Sequence, residues 1–179
     1  MVTSPDGVEF EKIKKEYSDF EDSLIKQGKK PMRDTGFGFW GCTILDEVYE
    51  FFKKINLGKY KHFLDLGSGD GRVVLIASLF TKATGIELDK ELFEKSIELN
   101  KKLGLNGEFI HDDFMGVDLS GYDFLYIFPD KCFYMAFEDK LKKELSGVLA
   151  VCNETFLPTF LRKGQTVWAH QRPFVLFTK

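Results

Sequence analysis

The stretch Asp65-Leu66-Gly67-Ser68-Gly69-Asp70-Gly71 decides the fold of this chain. It closes a short apolar segment that predicts a strand, and the apolar residues after it predict a helix. Alternate glycines let the backbone turn tightly and approach a ligand, because no Cβ stands in the way. A helix N-terminus after such a turn offers free N–H groups and the positive end of the helix dipole. The stretch therefore predicts a strand–loop–helix unit that can bind a carboxylate or a phosphate.

The residues before this unit predict two helices separated by a loop. Apolar residues spaced three or four apart indicate an amphipathic helix over residues 10–24. Residues 29–41 contain one Pro and three Gly, which indicates a loop. A second helix is predicted to follow, with Thr43 and Asp46 spaced as a capping box.

Beyond the glycine-rich stretch, strand and helix signals alternate. Further strands are predicted at 83–88, 108–111, 122–128 and 147–152. Asp89 is expected to cap the helix after the second strand, and Pro129-Asp130 to start the helix after the fourth. A short helical piece at 156–161 precedes closing strands at 166–170 and 174–178. Their connection is too short for a parallel crossover, so this pair is predicted to be antiparallel.

This order predicts an α/β fold with three layers, in which a mostly parallel, doubly wound sheet lies between helices. A terminal antiparallel β-hairpin and an N-terminal helical extension complete it. We expect the extension and a lid loop to span residues 1–40 and the main domain residues 41–179. An ordinary dinucleotide-binding sheet continues parallel. The closing hairpin is instead typical of folds that bind S-adenosylmethionine (AdoMet).

Acidic residues follow three successive strands at the sheet edge where such folds bind ligands. Asp65 suits the ammonium and sulfonium of AdoMet, Glu87 its ribose hydroxyls and Asp113 its adenine amino group. Leu88 and Phe114 are placed to pack on the adenine ring. The full predicted cofactor-binding set is Asp65, Gly67, Ser68, Gly69, Asp70, Gly71, Glu87, Leu88, Asp113, Phe114 and Phe128.

The same loop departs from the nicotinamide-dinucleotide fingerprint. That pattern, G-x-G-x-x-G, requires a glycine where this chain has Arg72. An oxidoreductase is therefore disfavoured.

With these residues the chain resembles the class I, seven-stranded, Rossmann-like AdoMet-dependent methyltransferases over about residues 44–179. Residues 65–74 and 138–145 are similar to protein-lysine methyltransferases related to the mitochondrial ATP synthase c-subunit enzyme, and the loop also resembles that of Dot1-type enzymes. The resemblance implies AdoMet as cofactor and S-adenosylhomocysteine (SAH) as product. The mitochondrial members carry a membrane-associating segment that is missing here, so no membrane partner is expected.

The methyl acceptor is less clearly indicated. Asp130, Tyr134 and Glu154 are the candidates for orienting an amine or accepting its proton, although Asp130 also suits a helix N-cap. The segment that ends in Asp130 lacks the Asn/Asp-Pro-Pro-Tyr/Phe motif, which disfavours methylation of DNA adenine and of glutamine. Three aromatic residues between glycines suit a mobile lid, an aromatic channel around an alkylamine, or a hydrophobic plug between the N-terminal helix and the sheet; they are Phe37, Phe39 and Trp40.

Composition narrows the partners. The net charge of −3 argues against a dedicated nucleic-acid binder, although a basic run at 26–33 could attract an acidic substrate. Three separated cysteines show no metal spacing, and residues 1–7 lack signal-peptide features, so we expect a cytoplasmic protein without a metal. A protein lysine is the favoured acceptor. RNA, a small molecule, or AdoMet binding without catalysis are the alternatives, and the sequence does not indicate the oligomeric state.

Overall fold

The computed structural model describes residues 5–179. Residues 1–4 lie outside it; they belong to the predicted extension 1–40 and to the N-terminal stretch in which no signal-peptide features were found. The helices are α1 (Pro5–Lys26), α2 (Leu45–Lys54), α3 (Arg72–Ala77), α4 (Lys90–Leu103) and α5 (Met135–Glu144), with a 3₁₀ turn at Leu57–Lys59. The strands are β1 (Met32–Asp34), β2 (Phe39–Gly41), β3 (His62–Leu66), β4 (Lys82–Glu87), β5 (Glu108–His111), β6 (Phe124–Ile127), β7 (Val148–Cys152), β8 (Arg162–Ala169) and β9 (Arg172–Thr178).

A seven-stranded sheet forms the centre of the described chain, in the order β5-β4-β3-β6-β7-β9-β8. Strands β3 to β7 are parallel, whereas β9 runs antiparallel to both β7 and β8. The predicted α/β fold with a closing antiparallel hairpin is thus confirmed. The chain reverses its direction of progress beside β3, and ligands bind at such a switch point in sheets of this kind.

Each face of the sheet covers its own apolar core, because side chains alternate along a strand. On β6, Phe124 and Tyr126 join the core beneath α1, α2 and α3, while Leu125 and Ile127 join the core beneath α5. Both cores reach the carboxyl ends of the parallel strands. The loops at that edge therefore rest on packed supports.

Helix α1 shares the first of these cores. Phe10, Ile13 and Tyr17 are buried in it, as their helical spacing predicted. The Phe10 ring stacks on Tyr49 of α2 at a centroid distance of 3.9 Å. The helix is therefore fixed against the layer that supports the glycine-rich loop. No helix within residues 5–179 is long and apolar enough to cross a membrane.

The loop prediction for residues 29–41 was wrong. Strands β1 and β2 pair there as a small antiparallel hairpin. Its turn is held by side chains, since Asp34 accepts the N–H of Gly36 at 2.7 Å and the Thr35 hydroxyl accepts that of Gly38 at 3.1 Å. Three-residue strands are too short to produce an alternating pattern in the sequence, so composition alone indicated a loop.

The capping box predicted for the second helix was also wrong. Thr43 and Asp46 do not form a capping box, because the N-cap of α2 is Ile44 and no side chain caps it. Asp46 instead pairs with Lys14 at 2.8 Å.

Residues 156–161 are not helical. Pro158 lies in the middle of this segment, where it cannot donate a helical hydrogen bond. The N–H groups of Thr159 and Phe160 donate to the carboxylate of Glu138 on α5, at 2.9 and 3.1 Å. A long-range contact thus replaces the predicted local one.

Gly71, the residue before α3, offers a direct test of the loop's packing. Its φ is +81°, and a Cβ there would lie 2.6 Å from Ser96 Cβ and 2.8 Å from the Phe109 ring. We expect Gly71→Ala to lower the free energy of unfolding by about 2–4 kcal/mol, from backbone strain and overpacking together. Gly121→Ala, where a Cβ meets open space, should change it by less than about 0.5 kcal/mol. Urea denaturation of both variants measures this; equal stabilities would contradict the packing described.

Candidate active site

A cavity of about 600 Å³ opens at the carboxyl ends of β3, β4 and β6. This volume is within the range of small-molecule and cofactor sites. Most of the predicted site residues line it: Phe37, Phe39, Trp40, Asp65, Gly67, Ser68, Gly69, Asp70, Glu87, Leu88, Asp113, Phe114, Phe128, Asp130 and Tyr134. Two predicted residues, Gly71 and Glu154, are not among the lining residues.

The glycine-rich loop is held against β4. Its Gly67 and Ser68 N–H groups donate to the carbonyl of Ile86, at 3.0 and 2.9 Å. Glu87 accepts the N–H of Gly69 through Oε2 at 2.7 Å. The Ser68 side chain is turned towards Gly85, where a Cβ would lie 2.6 Å from the Ser68 Oγ.

The cavity floor carries buried acids. Asp65 is 3% exposed, and burial raises its pKa well above the usual range, with the charges of Glu87 and Asp70 adding to the effect. Burial also raises the pKa of Glu87, against the opposing hydrogen bonds from the Asp89 and Gly69 N–H groups. A cation bound beside Asp65 would favour its ionised form. The floor therefore suits a ligand with a positively charged group.

Arg72, which sequence reasoning treated only as a missing glycine, is the residue that organises the loop. Its guanidinium is 3% exposed and donates through Nε and Nη2 to the carboxylate of Asp70, at 3.0 and 2.7 Å. Its Nη1 reaches Glu21 of α1 at 2.8 Å and the Thr43 carbonyl at 3.1 Å. The sequence signal for this role was a single charged residue, Arg72, at the start of the apolar run that forms α3.

Tyr17 of α1 adds a second connection between the helix and the loop. Its hydroxyl donates to the Asp70 carbonyl at 2.8 Å, and the Arg72 guanidinium lies 4.7 Å above its ring. The Asp70 side chain is thereby directed to Arg72, and its carbonyl to Tyr17. Helix α1 is thus attached to the cavity loop by charge and by hydrogen bonds.

The β1–β2 hairpin spans the cavity mouth and is held at both sides. Arg33 donates to Asp89 at 2.9 Å on the β4 side. On the β6 side, Asp130 Oδ2 accepts the N–H of Phe39 at 2.8 Å, and Lys131 Nζ donates to the Phe37 carbonyl at 3.1 Å. The hairpin is therefore held to both walls of the cavity.

The expected role of Asp130 as a helix N-cap was wrong. Helix α5 begins five residues later, with Tyr134 at its N-cap position. Asp130 binds the hairpin backbone instead. This contact spans 91 residues of sequence, which no local pattern reveals.

The three aromatic residues of the hairpin separate into two kinds. Trp40 is 9% exposed, and its ring lies so close to Gly69 that a Cβ there would be 2.8 Å from Cδ1. Phe37 and Phe39 are 59% and 58% exposed at the mouth. The hairpin thus buries one of its three aromatic residues and exposes the other two at the mouth.

The far wall carries the residues predicted to contact adenine. Leu88 and Phe114 both line it, and Phe114 packs on Phe137 at a centroid distance of 5.0 Å. Asp113 is exposed and accepts the N–H of Met115 through Oδ1 at 2.9 Å.

The β6 side carries Phe128 and Tyr134, which are 40% and 45% exposed. Glu154 lies on the exposed segment after β7, outside the cavity lining. Among the described residues, no group of three or more His, Cys, Asp or Glu side chains could hold a metal ion.

The sequence model of the family described as "Histone methylation protein DOT1" matches residues 35–126, just over half of the chain. The chain belongs to this family, within the class I AdoMet-dependent methyltransferases. The match contains the hairpin turn, the glycine-rich loop and the acids Glu87 and Asp113. It confirms the Dot1-type resemblance expected from the loop.

Two plant methyltransferases are similar to part of this chain. A caffeoyl-CoA O-methyltransferase-like protein of Arabidopsis thaliana is 25% identical over 73% of this chain and 62% of its own length. Tapetum-specific methyltransferase 1 of the same plant is 32% identical over 54% of this chain and 50% of its own length. The chain therefore spans only about half to three fifths of these relatives.

The fold of this Dot1-family chain recurs in solved methyltransferase structures. An RNA methyltransferase from Salinibacter ruber in complex with SAH has a TM-score of 0.63 and 22% identity, covering 76% of this chain and 92% of the other. Membership of this methyltransferase family makes AdoMet the cofactor. The cavity fits it, because glycines leave room beside the loop and an acid lies on the floor.

The contribution of the Arg72–Asp70 pair to stability can be measured with substitutions at both residues. Asp70 is 1% exposed, so Arg72→Met should leave a buried carboxylate unpaired and lower the free energy of unfolding by about 3–5 kcal/mol. Adding Asp70→Asn to Arg72→Met should restore part of that loss, because no charge is then stranded. Urea denaturation of the single and double variants measures this. A double variant as unstable as the sum of both single ones would contradict the pairing.

Proposed function

We propose that this chain transfers the methyl group of AdoMet to a lysine side-chain amine of a protein, in the cavity beneath the β1–β2 hairpin. Asp65 would hold the ammonium of the cofactor, and Glu87 its ribose hydroxyls. Leu88, Phe114 and Asp113 would surround the adenine. AdoMet, when bound, supplies a methyl group on a sulfonium that is already activated for displacement.

The match to a histone-methylation family carries the proposal of a protein acceptor. It includes the cofactor side of the cavity and part of the hairpin that forms its mouth. The chain's connections between strands and helices at the sheet edge are short. The hairpin is the cover over the cavity, which leaves the mouth accessible to a side chain on a large substrate.

The mouth suits an alkylamine. Phe37, Phe39, Phe128 and Tyr134 line it and are all exposed by 40% or more. Aromatic faces attract a cationic amine to the mouth, and loss of water on entry into the cavity then lowers the pKa of the amine. The neutral amine is the form that can accept a methyl group.

Asp130 is the residue to which we assign the orientation of this amine. One carboxylate oxygen accepts the Phe39 N–H, and the other has no hydrogen-bond partner among the described residues. A carboxylate in this position can accept a hydrogen bond from the incoming nitrogen and then its proton. Positioning supplies most of the rate in such a displacement.

The pairing of basic residues with carboxylates gives RNA less support than a protein as the methyl acceptor. Arg33, which belongs to the basic run, is paired with Asp89 and Glu91, and Arg172 is paired with Glu47. Pairing with carboxylates leaves less positive charge for phosphates.

Cofactor binding should depend on pH through Asp65, whose pKa is raised by burial. The ammonium of SAH favours the ionised carboxylate, so affinity for SAH should fall as the pH drops through that raised pKa. Asp65→Asn should bind SAH more weakly at pH 8 and show a flatter profile between pH 5 and 8. Calorimetric titrations across this range measure the effect. A profile as steep in the variant as in the parent protein would assign the dependence to another group.

The acceptor is tested by labelling. Extract of the native cells is incubated with the enzyme and AdoMet carrying a radioactive methyl group, then digested with protease or ribonuclease. We expect protease-sensitive label and methyl-lysine in the peptide mass spectra. Asp130→Asn keeps an acceptor for the Phe39 N–H but loses the charge, so it should reduce labelling on the order of 10²-fold. The exposed Asp139→Asn on α5 should label normally.

Two results would overturn the lysine assignment. Label removed only by ribonuclease would indicate RNA as the acceptor. Label that passes a small-molecule filter would indicate a metabolite, in agreement with the name of the caffeoyl-CoA O-methyltransferase-like relative. A normal rate for Asp130→Asn would remove the role given to that carboxylate.

A further inference from the structure

Two polar side chains beyond Asp65 line the same cavity and have no part in the function proposed above. They are Tyr126 on β6 and Arg172 at the start of β9. Both lie at the carboxyl edge of the sheet, because β9 runs antiparallel and begins where the parallel strands end.

The Tyr126 hydroxyl is buried and unsatisfied. The residue is 1% exposed, and its hydroxyl has no oxygen or nitrogen partner within hydrogen-bond distance among the described residues. The Cys152 thiol lies beside it, and a thiol is a weak acceptor. A buried hydroxyl without a partner is unfavourable, so a native structure that keeps one calls for an explanation such as a ligand.

Arg172 has donors to spare. Its Nε pairs with Glu47 of α2 at 2.9 Å, and its guanidinium lies 5.5 Å from the centre of the Phe128 ring. Neither terminal nitrogen has a hydrogen-bond partner among residues 5–179. The terminal nitrogens of arginine form a planar fork that matches a carboxylate.

The sheet arranges these groups in order. Asp65 and Tyr126 are register partners on neighbouring parallel strands, so their side chains project from the same face. β7 and then β9, with Arg172, follow beyond β6. An acid, a phenol and a guanidinium thus succeed one another along one wall. An α-amino acid group carries an ammonium and a carboxylate on one carbon, which is the complementary charge pattern.

We propose that Tyr126 and Arg172 form a carboxylate subsite that holds the carboxylate of the cofactor's methionine part while Asp65 holds its ammonium. This inference rests on the binding of AdoMet in the cavity. Both residues would donate, Tyr126 through its hydroxyl and Arg172 through its terminal nitrogens. Glu47 would keep the guanidinium in position without contacting the ligand.

The test compares two ligands that differ only in the carboxylate. SAH has it, and S-adenosyl-3-thiopropylamine keeps the amine but lacks the carboxylate. We expect Tyr126→Phe to weaken calorimetric binding of SAH about 5- to 10-fold and Arg172→Gln at least about 10-fold. Neither change should weaken binding of the decarboxylated ligand. Asp139→Asn on α5, an exposed residue outside the cavity lining, should leave both affinities unchanged.

Each other outcome has a distinct meaning. Equal weakening of both ligands would show that the residues only support the fold, and the subsite would be rejected. Unchanged SAH affinity in Tyr126→Phe, an isosteric change that keeps the ring packing, would also reject it, even if Arg172→Gln does not fold. If the parent protein binds neither ligand, the proposed cofactor cavity fails together with the subsite. If SAH binding is normal throughout, only the subsite fails.

Discussion

The buried guanidinium of Arg72 is the interaction on which the rest of the site depends. It joins Asp70 of the glycine-rich loop to Glu21 of α1 and to the carbonyl of Thr43 before α2. A charge taken out of water is tolerated only where several partners compensate it, and here they come from three separate segments. The conformation of the loop is therefore stabilised by α1 and by the start of α2.

The same constraint extends to the cavity mouth. Trp40 lies just before the segment that Arg72 binds, and its ring packs against Gly69 of the glycine-rich loop. The packing of Trp40 therefore fixes the position of the hairpin relative to the loop. Glu87 holds the loop from the opposite side through the Gly69 N–H. Asp130 binds the backbone of the hairpin on the side that faces β6. The glycine-rich loop and the cavity mouth thus share one continuous set of contacts, which runs from Gly69 through the hairpin to Asp130.

The parts of the fold that the sequence predicted are those with periodic or local causes. The alternation of strands and helices, the Asp89 cap and the closing hairpin follow from apolar spacing and short connections, and the structure contains all of them. The failures have a different origin. Asp130, Thr43 and residues 156–161 are each bound by a partner distant in sequence, which overrides the local preference. From the sequence, Arg72 indicated only that the loop lacks the last glycine of the nicotinamide-dinucleotide pattern. Its structural role could not be predicted, because its partners lie on three segments that meet only in the folded chain.

The central claim is that the cavity beside the glycine-rich loop holds AdoMet, with Glu87 as the residue that joins loop and ribose. Calorimetric titration of SAH and NADH into the protein and into Glu87→Ala tests it most directly. The account predicts that SAH binds with one-to-one stoichiometry, that NADH does not bind, and that Glu87→Ala weakens SAH at least about 10-fold, the loss of a hydrogen bond to a charged group. Tight binding of NADH, or unchanged SAH affinity in Glu87→Ala, would contradict it.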